Sequence, residues 1–144
     1  MIRPAKTSDI PTIIEKGSRL HRESSYFHVE YSPDRVEVIC KLLMMKGFIM
    51  VAEIDGEVVG SMLGDVHLPW YTTDIVGIEY SLYVEPERRN GLIAVKLVKA
   101  WEKWCFEMGA KQLRPGVGTG DGNAAGIYLA LGYERVGDFF VKNV

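Results

Sequence analysis

Two adjacent cations, Arg88 and Arg89, stand just before the longest helix-patterned stretch of this chain, which starts near Gly91. A helix N-terminus presents unpaired N–H groups and about half a positive charge. Each cation placed there costs ~0.3–1 kcal/mol. A bound anion offsets that cost, because guanidinium groups and helix-start amides together make a phosphate site built on charge-assisted hydrogen bonds. The other reading of the same residues is two solvated arginines that pair with Glu85 and Glu87. The run PGVGTGDG, Pro115 to Gly122, lacks the Lys-Ser/Thr ending of a phosphate-binding loop and the G-x-G-x-x-G spacing. It reads as a mobile loop. His21, His28 and His67 show no metal-ligand spacing, and no G-x-S-x-G elbow occurs, so no metal is expected.

The elements that must place these groups follow from pattern. Ile2 to Ala5 reads as a short strand, and Thr7 or Ser8 as the cap of a helix carrying Ile10, Ile13, Ile14 and Leu20. Ser32-Pro33 starts a second helix, with Val36, Ile39, Cys40 and Leu43 on one face and Gly47 after its end. Phe48–Ile54 and Glu57 to about His67 flank Asp55-Gly56, the dipeptide of a two-residue hairpin turn. A third β run spans Ile75 to Val84, completing an antiparallel meander. The long helix carries Ala94, Leu97, Val98, Trp101, Cys105 and Met108 on one face. Opposite them, Lys96, Lys99 and Lys103 form a face read as solvated. Lys111–Val117, a short helix from about Asn123 to Leu131, and a last strand from Tyr133 to Val141 complete the order. That order, β-α-α-β-β-β-α-β-α-β, predicts an α/β (α+β) fold: a mixed, mostly antiparallel sheet flanked by helices.

The chain has 144 residues, 47% hydrophobic and 25% charged. This suits one globular domain, 1–144, and excludes a disordered tail. The net charge of −2 gives no bulk attraction to nucleic acid or anionic lipid. The longest clean apolar run, Phe48 to Ala52, falls far short of the ~20 residues of a membrane helix. The start MIRPAK has no secretory apolar region, so a cytoplasmic protein is expected. Cys40 and Cys105 lie in helical patterns and make neither a disulfide scaffold nor a Cys-rich zinc site.

A strand ending Val84, Pro86, then Arg89 and a long amphipathic helix resembles the acetyl-CoA motif [Q/R]-x-x-G-x-[G/A] of the GNAT acetyltransferase superfamily. Without a gap the motif falls on Arg89-Asn90-Gly91-Leu92-Ile93-Ala94; Arg89 and Ala94 match, and Leu92 replaces the usual Gly. A second register, Arg88-x-x-Gly91, keeps the Gly but loses the spacing from Pro86. The segment Asp121 to Tyr133 (DGNAAGIYLALGY) is similar to the family's late helix, with Ala124, Tyr128, Gly132 and Tyr133 in place. Asp121 stands where Asn is usual, and Asn123 lies two positions on. The element order also resembles the family's, most of all its short phage- or prophage-encoded members.

The resemblance implies acetyl transfer from acetyl-CoA, with CoA as product, directly onto a primary amine. Such transfer needs a neutral amine, a hydrogen-bond donor for the carbonyl oxygen, a proton for the leaving thiolate and an attack geometry. It implies that the backbone of Leu82, Tyr83 and Val84 pairs with the pantetheine arm. Arg88, Arg89, Asn90, Gly91, Leu92, Ile93 and Ala94 would hold the diphosphate, with Asn123 and Tyr128 also at the cofactor. Tyr128 would protonate the sulfur; its other reading is a core tyrosine anchored by its ring. Glu79 lies near a position where family members carry a carboxylate base, but one residue late. Strand side chains alternate, so Glu79 faces the site only if a bulge intervenes; otherwise it is a solvated strand carboxylate. The loops His21 to Tyr31 and Leu68 to Asp74 mix aromatics with acids such as Glu23, Glu30 and Asp74, which suits a cationic acceptor, small molecule or protein. A rival class is an acyl-CoA-binding module without catalysis that acts through a protein partner. Self-pairing into a homodimer through the C-terminal strand is a further expectation.

Overall fold

The computed structural model describes residues 1–118 and 122–144, apart from the side chains of Gly122 and Asn123. Five strands form one sheet in sequential order: β1 Ile2–Pro4, β2 Phe48–Ile54, β3 Glu57–His67, β4 Val76–Val84 and β5 Gln112–Arg114. The first four pair antiparallel. The β2–β3 turn is Asp55-Gly56, with φ of 51° and 80°; such turns need positive φ at both central residues.

The register of β3 on β4 decides what faces the site. Leu63 pairs with Ser81, but Gly64 pairs with Glu79, which leaves Tyr80 as an extra residue on β4. That bulge rotates the strand by one position, the condition under which Glu79 can change face. Beyond it, β5 runs parallel to β4 over three pairs only, Val76 with Gln112, Gly77 with Leu113 and Ile78 with Arg114. From Glu79 onward β4 has no strand neighbour on that side among the described residues.

Helices cover both faces. α1 (Ile10–Glu23) and α2 (Pro33–Lys46) bury Ile10, Ile13, Cys40 and Leu43 against Ile49, Val51 and Leu63. α3 (Ile93–Glu107) buries Leu97, Val98, Trp101 and Cys105 against Phe48, Ala52 and Met62 on the other face. The alternation of β2 therefore feeds two cores, as a strand buried on both sides requires. Ser32 caps α2, its hydroxyl accepting the Arg35 N–H at 3.2 Å, with Pro33 at the first helical position. α4 spans Gly122–Ala130.

Four expectations change. Met108, expected on the apolar face of the long helix, is its C-cap and 46% exposed. Neither Thr7 nor Ser8 caps α1 with its side chain; both sit in a single 3-10 turn, Thr7–Asp9, ahead of it. The Asp9 carboxylate instead accepts the Lys6 N–H at 2.7 Å and both Arg3 guanidinium nitrogens at 2.7 and 3.0 Å. The Arg3 contacts hold that carboxyl below its usual range and tie β1 to the turn that starts α1. The strand expected over Lys111–Val117 is three residues long, and the run Tyr133 to Val141 forms no strand. Strand propensity is realised only against a partner edge, and the three-residue β5 offers little.

Candidate functional site

The start of α3 keeps its amides free. Leu92 is the N-cap and makes no side-chain cap bond, and the first turn holds no acidic residue. The N–H groups of Ile93, Ala94 and Val95 therefore have no intrahelical partner. Gly91 donates its N–H to the Arg88 carbonyl at 3.4 Å, and Arg89 donates its N–H to the Pro86 carbonyl at 3.3 Å. The approach to the helix is thus a tight 3-10 turn, Pro86–Arg88, that sets Arg88, Asn90 and Leu92 out toward solvent.

Arg89 turns back into the protein. Its Nε donates to the Val84 carbonyl at 2.7 Å, its guanidinium lies 3.6 Å from the Glu23 carboxylate and 5.6 Å from the centre of the Tyr83 ring. Two of the three residues expected along the pantetheine edge, Leu82 and Val84, line an open cleft of about 2230 Å³. The Tyr83 ring is buried between Arg89 and Lys16 on the α1 side.

The same cleft is lined by Glu79 and Tyr128. Glu79 accepts the N–H of Gly116 at 3.2 Å, in the loop that follows β5. Desolvation nevertheless pushes its carboxyl up to about 7, the single amide bond pulling weakly the other way. Tyr128, on α4, is buried, and its hydroxyl has no hydrogen-bond partner among the described residues. Burial raises its pKa above the ordinary phenol range, and the negative charge of Glu79 raises it further. The ring stacks edge-on against Tyr133 at 5.4 Å, and Tyr133 donates to Glu102 at 2.9 Å, which fixes the end of α4 on α3. A buried phenol with an unsatisfied hydroxyl is costly unless a ligand atom completes it. Here Tyr128 lines the same open cleft as Glu79. Its hydroxyl can donate to a thiol or thioester sulfur, and the free amides of α3 can bind a diphosphate.

Asn123 lies outside the described side chains and Asp121 outside the described residues. The Ser24–Ser32 loop reaches across the cleft, with the Ser25 N–H donating to the Gly118 carbonyl at 2.7 Å and Tyr26 lining the wall. Trp70, in the other loop proposed for an acceptor, is fully in solvent, while Tyr71 stacks under Arg114. No metal cluster of His, Cys, Asp and Glu occurs among the described residues. Nor is any helix there long and apolar enough to cross a membrane. Sequence reading missed Lys16, which is 6% exposed and ion-paired to Glu85. The available signal was its place three residues after Ile13 and four before Leu20, on the flank of an apolar stripe. It also missed the Gly116 amide on Glu79, which no local pattern announces.

A family model described as the acetyltransferase (GNAT) family matches residues 18–133. Solved structures share the fold. A possible acetyltransferase from Clostridium difficile is 21% identical with a TM-score of 0.73, covering 100% of this chain and 97% of that one. An acetyltransferase from Trypanosoma brucei is 16% identical with a TM-score of 0.75, covering 100% and 99%. An aminoglycoside N-acetyltransferase in complex with CoA is 14% identical with a TM-score of 0.79, covering 100% and 93%.

Proposed function

The chain belongs to the acetyltransferase (GNAT) family, and from that premise we propose that it transfers acetyl from acetyl-CoA directly to a primary amine. The observation that carries this reading is one open cleft lined both by Glu79, a carboxyl of pKa about 7, and by Tyr128, a buried phenol without a hydrogen-bond partner among the described residues. Acetyl-CoA supplies an acyl group activated as a thioester. The free amides of Ile93, Ala94 and Val95 bind its diphosphate, helped by Arg88. The edge of β4 that has no strand neighbour among the described residues orients the pantetheine arm by backbone hydrogen bonds at Leu82 and Val84, the Val84 carbonyl already accepting the Arg89 Nε. Glu79 takes a proton from the acceptor ammonium, directly or through a water, because a carboxyl of pKa about 7 is ionised enough at neutral pH to accept it. Tyr128 holds its own proton at any physiological pH and delivers it to the departing sulfur. Two protons leave the acceptor nitrogen: Glu79 takes the first before attack, and the second, lost as the amide forms, replaces the one Tyr128 gave to the thiolate, so each turnover releases one proton through Glu79.

A titration with CoA tests the binding half. A site filled at 100 times its dissociation constant adds ~2.7 kcal/mol of stability, read as a raised unfolding temperature. Release of free thiol from acetyl-CoA with a panel of primary amines tests the chemistry. Tyr128→Phe is expected to lower kcat at least tenfold with CoA affinity within twofold; unchanged kcat removes the acid role. A second reading, a CoA-binding module without catalysis, is favoured by Leu92, whose large exposed side chain stands at the N-cap of α3. Thiol release with any amine decides against it.

A further inference from the structure

We propose that Lys16 and Glu85 are positioning residues for the diphosphate site, an ion pair through which α1 pins the turn that presents the amides of α3. The inference rests on the CoA-binding reading above.

Lys16, Arg19 and Glu23 stand at i, i+3 and i+7 on α1, one face of the helix. All three meet the junction between β4 and α3. The Lys16 ammonium pairs with the Glu85 carboxylate and lies 5.7 Å from the centre of the Tyr83 ring. Arg19 reaches the other Glu85 oxygen at 3.5 Å, and the Tyr83 hydroxyl donates to it at 3.4 Å. Glu23 meets Arg89 at 3.6 Å. Tyr83 thus sits between two cations, Lys16, paired with Glu85 at the N-cap of the turn, and Arg89 at its C-cap, paired with Glu23.

Glu85 has two tasks in this network. Its backbone N–H donates to the Val59 carbonyl at 2.8 Å, and its carbonyl accepts the Arg88 N–H at 2.8 Å, which starts the 3-10 turn toward α3. Its side chain is held from α1, across 69 residues of sequence. A carboxylate at the mouth of an anion site repels a diphosphate unless cations neutralise it, and Lys16 and Arg19 do so from the protein side. The side chains of Lys16 and Glu85 are only 8% and 14% exposed. A pair this buried adds little net stability, and well-packed apolar replacements are often neutral or stabilising. Stability alone therefore gives weak reason for charges here, whereas a turn that must hold its amides in register gives a direct one.

The test separates positioning from mere structure. In the double variant Lys16→Met/Glu85→Leu, the apolar pair is expected to leave the unfolding temperature unchanged or higher. It should weaken CoA binding five- to tenfold by calorimetry and raise KM for acetyl-CoA alike, with kcat within twofold. Glu85→Gln, which keeps an acceptor for Lys16, should lose no more than about threefold. CoA affinity of the double variant within twofold of the original overturns the proposal. If that variant does not fold, Arg19→Ala, at an exposed side chain, is expected to weaken CoA two- to threefold; unchanged affinity there overturns it too. Absence of CoA uptake by the unsubstituted chain overturns both this inference and the function on which it rests, whereas uptake by both proteins equally removes the inference alone.

Discussion

At Glu79 two influences oppose each other, and burial outweighs one amide hydrogen bond, so the carboxyl titrates at about 7. The activity profile inherits that value: kcat/KM should rise with pH to a plateau, with its half-point near 7. Glu79→Gln should remove this limb and lower the plateau at least tenfold; an unchanged limb in the variant assigns the base elsewhere. The same shift has a stability sign. Between 4.5, the ordinary value, and about 7 the folded chain retains a proton that the unfolded chain has lost. The contribution of this group is therefore full below pH 4.5 and is lost as the pH rises through 7. Tyr128, which lines the same cleft, was legible as a position in a helix, but the lack of a partner for its hydroxyl among the described residues was not, because that depends on what every neighbouring element leaves unoccupied. Arg89 shows the converse. Its place before the helix was plain in the sequence, yet its guanidinium serves the Val84 carbonyl and Glu23. Arg89→Ala should therefore weaken CoA by loosening the turn, and a loss in CoA affinity of less than twofold by calorimetry argues against that.

Between elements, glycines set how closely α3 can approach the sheet. A Cβ added at Gly64 would lie 2.6 Å from the Trp101 indole nitrogen and 2.8 Å from the Ile78 carbonyl oxygen. One at Gly77 would lie 2.7 Å from the Cys105 sulfur and 2.8 Å from Leu113. Trp101 and Cys105 are wholly buried and cannot swing away. Gly64→Ala and Gly77→Ala should each cost ~1–3 kcal/mol by overpacking, measured by urea unfolding; a loss under 0.5 kcal/mol would mean that α3 shifts freely. Because α3 carries the free amides and β4 carries Glu79, both substitutions should also displace the site. The apolar stripe of α3 was readable from its 3.6-residue period. The glycines facing it were not, since nothing local distinguishes a packing glycine from a turn glycine.

At the scale of the molecule, the sheet ends on a short strand, and residues 134–144 at the end of the chain are exposed throughout. Val136, Phe139 and Phe140 are 92%, 89% and 93% exposed. Self-pairing through the C-terminal run, the expectation from the sequence, would draw on these exposed side chains. Phe139→Ser/Phe140→Ser should leave the unfolding midpoint within about a degree, because neither ring is packed. It should lower the average mass seen by light scattering at high concentration. Equal mass for the two proteins at every concentration counts against self-association through this segment.

Short-range chemistry was enough to determine the meander with its Asp55-Gly56 turn, the faces of the helices, the capped start of α2 and the uncapped, cation-flanked start of α3. Helix period, turn dihedrals and capping are all settled within a few residues. Only the folded chain decided the extra residue at Tyr80, the parting of β4 from β5, the inward turn of Arg89, the burial of Lys16 against Glu85 and the lack of pairing after Tyr133. Most of these are fixed by register or contact between segments distant in the chain, where the outcome depends on which partner edge or counter-charge arrives and not on the residue's own preference; Arg89 also turns in on the nearby Val84 carbonyl.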